Sequence, residues 1–179
     1  MKNRKQIGIL AVSLSTEGFG YALMESANSL VDYGNKVFTD RKNDRSLNHI
    51  TKLIGLFKPS VLVLHDVNAK GSYRAARIKE LHRNVLTLAE KHKLKVAQIS
   101  GRQLRIVLLG DPSGTKHDVA TYIAELYSDD LADRLPPKRQ LWESQPSRMD
   151  IFDAVALALA FLLKPAKRRQ EGDKTVTRG

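Results

Sequence analysis

Residues 150–158 have the sequence Asp-Ile-Phe-Asp-Ala-Val-Ala-Leu-Ala, and the apolar character continues to Leu163. This stretch predicts a helix over 150–163 that is buried on nearly all sides. Its two acids, Asp150 and Asp153, are three residues apart and therefore share one helix face. Ser147 and Asp150 also have the spacing of a capping box, which would give Asp150 a structural role at the helix start. Asp153 has no such capping role.

Three strands are predicted before any helix. Residues 7–14 form an almost continuous apolar run, which predicts a buried strand. After a turn at 15–18, two further strands are predicted over 21–25 and 30–38. The links between these strands are too short for crossovers, so we expect an antiparallel meander.

After the meander, the apolar spacing changes to that of helices alternating with short strands. A polar, proline-containing linker over 129–146 then leads to the final helix. The predicted fold class is therefore α/β, a mixed five-stranded sheet (three antiparallel strands, then parallel strands) flanked by helices. The elements predicted between the meander and the linker are the helices 47–57, 75–93, 103–109 and 116–127 and the strands 61–64 and 96–99.

Length, charge and cysteine content restrict the class of protein. The chain has 179 residues, a formal net charge of +11 and no cysteine. We expect one domain over 1–163 and a mobile basic tail over 164–179, with +4 of the charge on the tail and +7 on the domain. The lack of cysteine excludes a disulfide scaffold, a thiolate metal site and a cysteine nucleophile.

The charge and the apolar pattern also bear on partners and location. A strongly positive chain favours a polyanionic partner. No apolar run reaches the roughly 18 residues of a membrane span, so we expect a cytoplasmic protein with no membrane association.

Three passages together resemble the RuvC-like branch of the ribonuclease H-like superfamily, which includes Holliday junction resolvases. They are 9–22 with its Gly-Tyr second strand, 59–65 with a proline before an apolar strand, and 150–158. The resemblance covers about residues 7–163 and implies a ribonuclease H-like fold. It also implies phosphodiester hydrolysis by two divalent ions, Mg or Mn, and a homodimer on branched DNA, with the dimer contact on the helix over 75–88.

That family holds its metal ions with four acids: one on the first strand, one ending the fourth and two on the last helix. Asp150 and Asp153 match the last pair, but Ser13 and His65 stand at the other two positions. The resemblance therefore gives Asp150, Asp153, Ser13 and His65 as the catalytic positions. Asp150, Asp153 and His65 would be the metal ligands of an active enzyme.

The two departures alter the expected chemistry. Serine is neutral, and imidazole is a nitrogen donor better suited to Zn, Mn or Fe than to Mg. Glu17 or Asp66 could supply a missing acid, and His65 could instead be a hydrogen-bonded strand-end residue or a protonated partner of a carboxylate. With two carboxylates only, we expect cleavage by two Mg²⁺ ions to be lost or very slow.

Six basic residues are predicted to contact nucleic acid. They precede or begin the long helix, follow the fifth strand, or begin the helix at 116. Trp142, beside Lys138 and Arg139, could extend the same surface, and Tyr73 could stack on a base or belong to the core. As a set at one end of the sheet, the six predict an electrostatic footprint for phosphates. They are Lys70, Arg74, Arg77, Arg102, Arg105 and Lys116.

Three functional hypotheses follow. The leading one is a nucleic-acid-binding protein that recognises branched or structured DNA, more readily than RNA, with catalysis lost or weak and no cofactor. The second is an active metal-dependent endonuclease, using Mg or Mn with an altered ligand set. The third is a non-catalytic protein-interaction module on the same fold. Whether the chain is an enzyme stays open at this point.

Overall fold

The computed structural model describes residues 8–164, so the predicted basic tail lies outside the described residues except for Lys164. Five strands and six α-helices form the described chain, together with a 3₁₀ helix at Ala132–Arg134. The strands are β1 (Ile9–Leu14), β2 (Gly18–Ser26), β3 (Ser29–Val37), β4 (Val61–His65) and β5 (Lys95–Ile99). The helices are α1 (Lys42–Phe57), α2 (Ala76–Lys91), α3 (Gly101–Leu109), α4 (Lys116–Leu126), α5 (Ser128–Leu131) and α6 (Met149–Leu163).

The sheet has the order β3-β2-β1-β4-β5. Strands β1, β2 and β3 are antiparallel neighbours, whereas β4 is parallel to both β1 and β5. This arrangement confirms the predicted mixed five-stranded sheet. Because β1 and β4 are adjacent and parallel, their carboxyl ends lie at the same edge of the sheet.

Alternation along β1 divides the core into two layers. Ile9 and Ala11 belong to the apolar cluster that contains α6 together with α3 and α4. Leu10, Val12 and Leu14 belong to the second cluster, which contains α1 and α2. All six residues of β1 are buried, as expected for a central strand covered by helices on both faces.

Helix α6 is buried along most of its length, as its sequence predicts. All residues from Met149 to Ala160 are buried. Its alanines pack toward Ala11 of β1 and Ala22 of β2, and small side chains on both elements allow a close approach. No helix within residues 8–164, α6 included, is long and apolar enough to span a membrane.

Gly20 of β2 lies close to the backbone of the first turn of α6. A Cβ atom at this position would overlap the backbone carbonyl of Asp150 and would lie 2.8 Å from the Asp150 Cβ. The obstructing atoms are mainly helix backbone, which cannot move without shifting α6 itself. The absence of a side chain at Gly20 therefore allows the first turn of α6 to lie directly against β2.

Several predicted boundaries are shifted: β2 begins at Gly18, within the predicted turn, and two other differences have identifiable reasons. Helix α1 begins at Lys42 instead of residue 47, because its first turn is largely polar and contributes few apolar residues to the periodic pattern. The predicted linker over 129–146 contains α5 and the 3₁₀ helix. Leu131 is fully buried there and anchors this segment to the core.

Replacing Gly20 by alanine is expected to destabilise the fold. The added methyl group would overpack the contact between β2 and α6, so the free energy of unfolding should fall by about 2–3 kcal/mol or more. Chemical denaturation measures this change. Gly55→Ala is the matched control, because Gly55 lies in α1 and a Cβ atom added there would have no neighbouring atom within 4 Å.

The control should raise the free energy of unfolding by about 0.5–1 kcal/mol through helix propensity. Equal behaviour of the two variants would contradict the proposed role of the Gly20 contact.

Candidate nucleic-acid interface

Ser13 and His65 occupy corresponding ends of neighbouring parallel strands. By alternation, Ser13 follows Ala11 and His65 follows Val63 on the sheet face that carries α6. Ser13 is buried and pairs with Gly20 in the register of β1 and β2. Gly20 in turn contacts Asp150. The fold therefore brings Ser13 and His65, the two positions at which this chain lacks an acid, close to the first turn of α6.

Asp150 is buried, and its carboxylate accepts a hydrogen bond from the Ser15 hydroxyl at 2.6 Å. Burial raises the pKa of Asp150 to about 6, and nearby Asp153 acts in the same direction. The Ser15 hydrogen bond and the positive charges of Lys116 and Arg74 oppose this increase without cancelling it. Asp150 therefore carries a proton more readily than an ordinary aspartate.

The capping-box interpretation of Asp150 is wrong. Helix α6 begins at Met149, so Arg148 and not Ser147 occupies the N-cap position, where no side chain caps the helix. The Asp150 carboxylate is directed instead to Ser15, at the turn that follows β1. Its contact is tertiary and joins segments 135 residues apart.

Asp153 forms an ion pair with Lys116 at the start of α4. The Lys116 Nζ donates to the Asp153 Oδ2 at 3.1 Å, and the Asp153 side chain is only 11% exposed while Lys116 is half exposed. The ammonium group thus neutralises the carboxylate at this edge of the sheet. One side of Lys116 stays in contact with solvent.

His65 provides an unpaired nitrogen next to these acids. Its Nε2 is buried and has no hydrogen-bond partner among the described residues. Burial lowers the pKa of His65 to about 4; Asp153 opposes this, and the charges of Arg74 and Lys116 add to it. The imidazole is therefore neutral at pH 7, which removes its interpretation as the protonated partner of a carboxylate.

Of the two acids considered as replacements, Glu17 is paired elsewhere, whereas Asp66 lines a cavity together with His65 and Asp153. Glu17 is 54% exposed and pairs with Lys42 at 3.3 Å. Asp66 accepts a hydrogen bond from the backbone N–H of Asn68 at 3.0 Å, within its own loop. Neither side chain makes a contact that would complete a set of carboxylates with Asp150 and Asp153.

The donor set does not fit a pair of divalent ions. Within residues 8–164, no group of three or more His, Asp or Glu is placed to hold a metal ion. Of the residues predicted as ligands, Asp153 is paired with an ammonium group, Asp150 is a buried carboxyl hydrogen-bonded to Ser15, and His65 is a neutral nitrogen donor. A pair of Mg²⁺ ions prefers oxygen ligands, and of the four positions only Asp150 and Asp153 supply carboxylates.

A cavity of about 420 Å³ opens beside these residues, and we call it the basic pocket. Asp153 and His65 form part of its wall, and Tyr73, which is 96% exposed, lies at its rim and not in the core. The pocket brings together five of the six basic residues that the sequence predicts. They are Lys70, Arg74, Arg102, Arg105 and Lys116.

Arg77, the sixth predicted residue, has a different position. Its guanidinium donates to Asn43 Oδ1 at 2.7 Å, to the Thr16 carbonyl at 2.8 Å and to the Ser15 carbonyl at 3.3 Å. These contacts hold the turn after β1 against α1 and α2. Arg77 therefore supports the segment that presents Ser15 to Asp150, and it does not line the basic pocket.

Solved structures with the same fold are known. The structure of Thermus thermophilus RuvC is 14% identical to this chain, with a TM-score of 0.64, and covers 93% of this chain and 98% of RuvC. T. thermophilus RuvC in complex with a Holliday junction substrate gives a TM-score of 0.66 at 14% identity, covering 93% and 97%. The yeast mitochondrial Holliday junction resolvase Ydc2 gives 0.58 at 11% identity, covering 88% and 78%.

No family model and no curated protein matches the sequence. The structural similarity nevertheless extends over most of the chain. The protein therefore has the RuvC-like ribonuclease H-like fold that the three sequence passages predict.

The pKa of Asp150 predicts a pH-dependent effect of Asp150→Asn. Because the folded-state pKa is about 6 against 3.8 for the ordinary side chain, the folded protein loses stability as pH rises from about 4 to 6. Asparagine removes the buried charge and can still accept from Ser15. We expect Asp150→Asn to raise the free energy of unfolding at pH 7 by about 2 kcal/mol, and by much less at pH 4.

Urea denaturation at both pH values measures this difference. Asp44→Asn is a control, because Asp44 forms an exposed ion pair with Arg41 at 3.4 Å. A gain from Asp150→Asn that is equal at pH 4 and pH 7 would contradict the burial of an ionisable carboxyl at this site.

Proposed function

We propose that this chain binds branched or structured DNA through the basic pocket, and that its capacity for metal-dependent cleavage is lost or weak. The observation that carries the proposal is the convergence of five basic side chains on one cavity at the carboxyl end of the sheet. Cations arranged around a cavity bind phosphate oxygens and release counterions, which makes binding strong and salt-dependent. A structural neighbour with the same fold is described in complex with a Holliday junction substrate.

Lys116 supports the binding part of the proposal. Its ammonium neutralises Asp153, so the carboxylate at the pocket wall does not repel an approaching phosphate. Half of the Lys116 side chain remains exposed and can contact the phosphate directly. In this arrangement a lysine supplies positive charge beside Asp153, where a resolvase of this fold would use a metal ion.

The same residues support the view that cleavage is weak. Two-metal hydrolysis needs ions that are clamped by several carboxylates. Here Asp150 accepts a hydrogen bond from Ser15, Asp153 is paired with Lys116, and Ser13 contributes no negative charge. We therefore propose a binding protein, with Mg²⁺ or Mn²⁺ bound weakly at best.

An active metal-dependent endonuclease is the second candidate. It is favoured by His65, which lines the same pocket as Asp153 and has an unpaired Nε2, a nitrogen donor better suited to a transition metal than to Mg²⁺. A homodimer is also a proposal, which follows from the resemblance to resolvases, and a cytoplasmic location is a proposal that follows from the apolar pattern of the sequence. Docking of a protein partner on this surface would be distinguished by salt-insensitive binding and by lack of DNA affinity.

Removing two pocket cations should weaken DNA binding. Lys70 and Arg102 are exposed at the pocket, so Lys70→Ala with Arg102→Ala should not disturb the core. Loss of two phosphate contacts should lower affinity for a four-way junction about 10-fold or more and reduce the salt slope, log K against log salt, by about 2. Fluorescence anisotropy of labelled DNA at several salt concentrations measures both quantities.

The matched control is Lys52→Ala with Lys91→Ala, which removes the same charge from exposed positions of α1 and α2 that line neither cavity described here and lie outside the expected dimer contact. If both double variants reduce the affinity and the slope equally, binding follows net charge and the pocket proposal is wrong.

Cleavage of a branched DNA tests the catalytic part of the proposal. We expect little or no product with Mg²⁺ or Mn²⁺ under conditions in which the DNA is bound. Gel analysis of end-labelled strands detects cleavage, and Asp153→Asn serves as the control for activity at this site. Rapid cleavage by the unaltered chain that is abolished by Asp153→Asn would favour the endonuclease instead.

A further inference from the structure

A tight turn at residues 140–143 presents two apolar side chains to solvent. The Glu143 backbone N–H donates to the Gln140 carbonyl at 3.1 Å, which closes the turn. The Gln140 backbone N–H donates to the Glu143 carboxylate at 2.9 Å, and the Arg139 guanidinium donates to the Glu143 carbonyl at 2.9 Å. Three hydrogen bonds therefore hold the backbone on both sides of Leu141 and Trp142.

The two central residues of this turn are almost completely exposed. Trp142 is 82% exposed and Leu141 fully so, and Trp142 is the one tryptophan in the chain. An indole ring has a large apolar surface with few rotatable bonds, so a turn that fixes its backbone offers a flat platform at low entropic cost. Such an exposed ring on an ordered turn is suited to a partner that stacks on it.

The turn contains one acid, Glu143, whose carboxylate accepts from the Gln140 N–H, and the two residues that precede the turn are basic. Lys138 and Arg139 precede the turn and line a second cavity of about 290 Å³, together with Lys116, His117 and the prolines at 136, 137 and 146. Among the described residues, no Asp or Glu lines this cavity. We call it the proline pocket.

Lys116 connects this region to the proposed DNA site. It lines the basic pocket as well as the proline pocket, so the two cavities meet at a cation, with Arg74 and Arg102 in one and Lys138 and Arg139 in the other. Cationic grooves that lead to exposed aromatic rings are the common solution for binding single-stranded nucleic acid. The cations follow the backbone, and bases stack on the rings.

We propose that Trp142 stacks on an unpaired base, and that Lys138 and Arg139 contact the phosphates of the same strand. In this arrangement, the strand would extend from the basic pocket past Lys116 to the turn. The inference rests on the proposed function and narrows its substrate class. The preferred ligands would be branched DNAs that carry unpaired nucleotides near the branch, over fully paired ones.

The tryptophan itself reports on this contact. Titration with a forked DNA that has a short single-stranded arm should quench the Trp142 fluorescence, because stacking on a base brings the indole and the base into direct contact. The midpoint of quenching should equal the midpoint of anisotropy for the same labelled DNA. A fully paired four-way junction should bind with less quenching.

Variants of the turn separate stacking from other effects. Trp142→Ala should weaken binding of the forked DNA about 5- to 100-fold, the range expected from the loss of one stacked base. Trp142→Phe should retain most of the affinity, and Leu141→Ala, at the equally exposed neighbour, should change it little. Anisotropy of the labelled DNA measures all variants, including the one without tryptophan.

The outcomes distinguish this inference from the function on which it rests. If the forked DNA binds but Trp142→Ala has no effect and the fluorescence is unchanged, the stacking proposal is wrong while the DNA-binding proposal stands. If neither DNA binds the unaltered chain, the proposed function itself fails. If Trp142→Ala changes only the oligomeric state measured by light scattering, the turn is a contact between copies of the chain and the inference is overturned.

Discussion

The close contact between Gly20 and the backbone of Asp150 is the constraint on which the arrangement of the site depends. Because β2 has no side chain at this point, the first turn of α6 rests directly on the sheet. That position directs the Asp150 carboxylate to Ser15 and places Asp153 within reach of Lys116. The apolar remainder of α6 fills the layer between the sheet and helices α3 and α4, so the helix cannot shift without opening the core.

With α6 in this position, the side chains around Asp150 and Asp153 determine the electrostatics at the carboxyl ends of β1 and β4. A buried carboxyl without a metal ion lowers its energy by protonation, by accepting hydrogen bonds or by pairing with a cation. Asp150 combines a raised pKa with the hydrogen bond from Ser15, and Asp153 pairs with Lys116. The charge of Asp153 is offset by Lys116, and Asp150 is buried, so the cations around the basic pocket outnumber the exposed negative charge there.

The sequence predicted much of the fold because the relevant signals are local. Apolar runs and helical spacing identified five strands and the buried α6, and the short links required an antiparallel meander. Five of six predicted cations line one pocket because they follow strand ends or begin helices at the same edge. The edge at which a residue lies depends on the direction of its strand, and the face depends on the alternation of side chains along it. Both can be read from a single sequence.

The contacts that define the site could not be predicted in the same way. Ser15 and Asp150 are 135 residues apart, and Lys116 and Asp153 are 37 apart, so no spacing rule connects them. The spacing around Ser147 favoured a capping box, but a tertiary hydrogen bond took the Asp150 side chain instead. Arg77 looked like a phosphate ligand, yet its guanidinium holds the Ser15–Thr16 carbonyls because α2 passes beside that turn.

We expect the site at which Lys116 neutralises Asp153 to bind DNA without a metal ion. The most direct test is the dissociation constant of a labelled four-way junction in EDTA and in Mg²⁺ at equal ionic strength. We predict values that agree within about threefold, a difference of less than 1 kcal/mol. Binding that appears only when Mg²⁺ or Mn²⁺ is present would show that the acids of α6 bind metal in the complex, and would contradict this account.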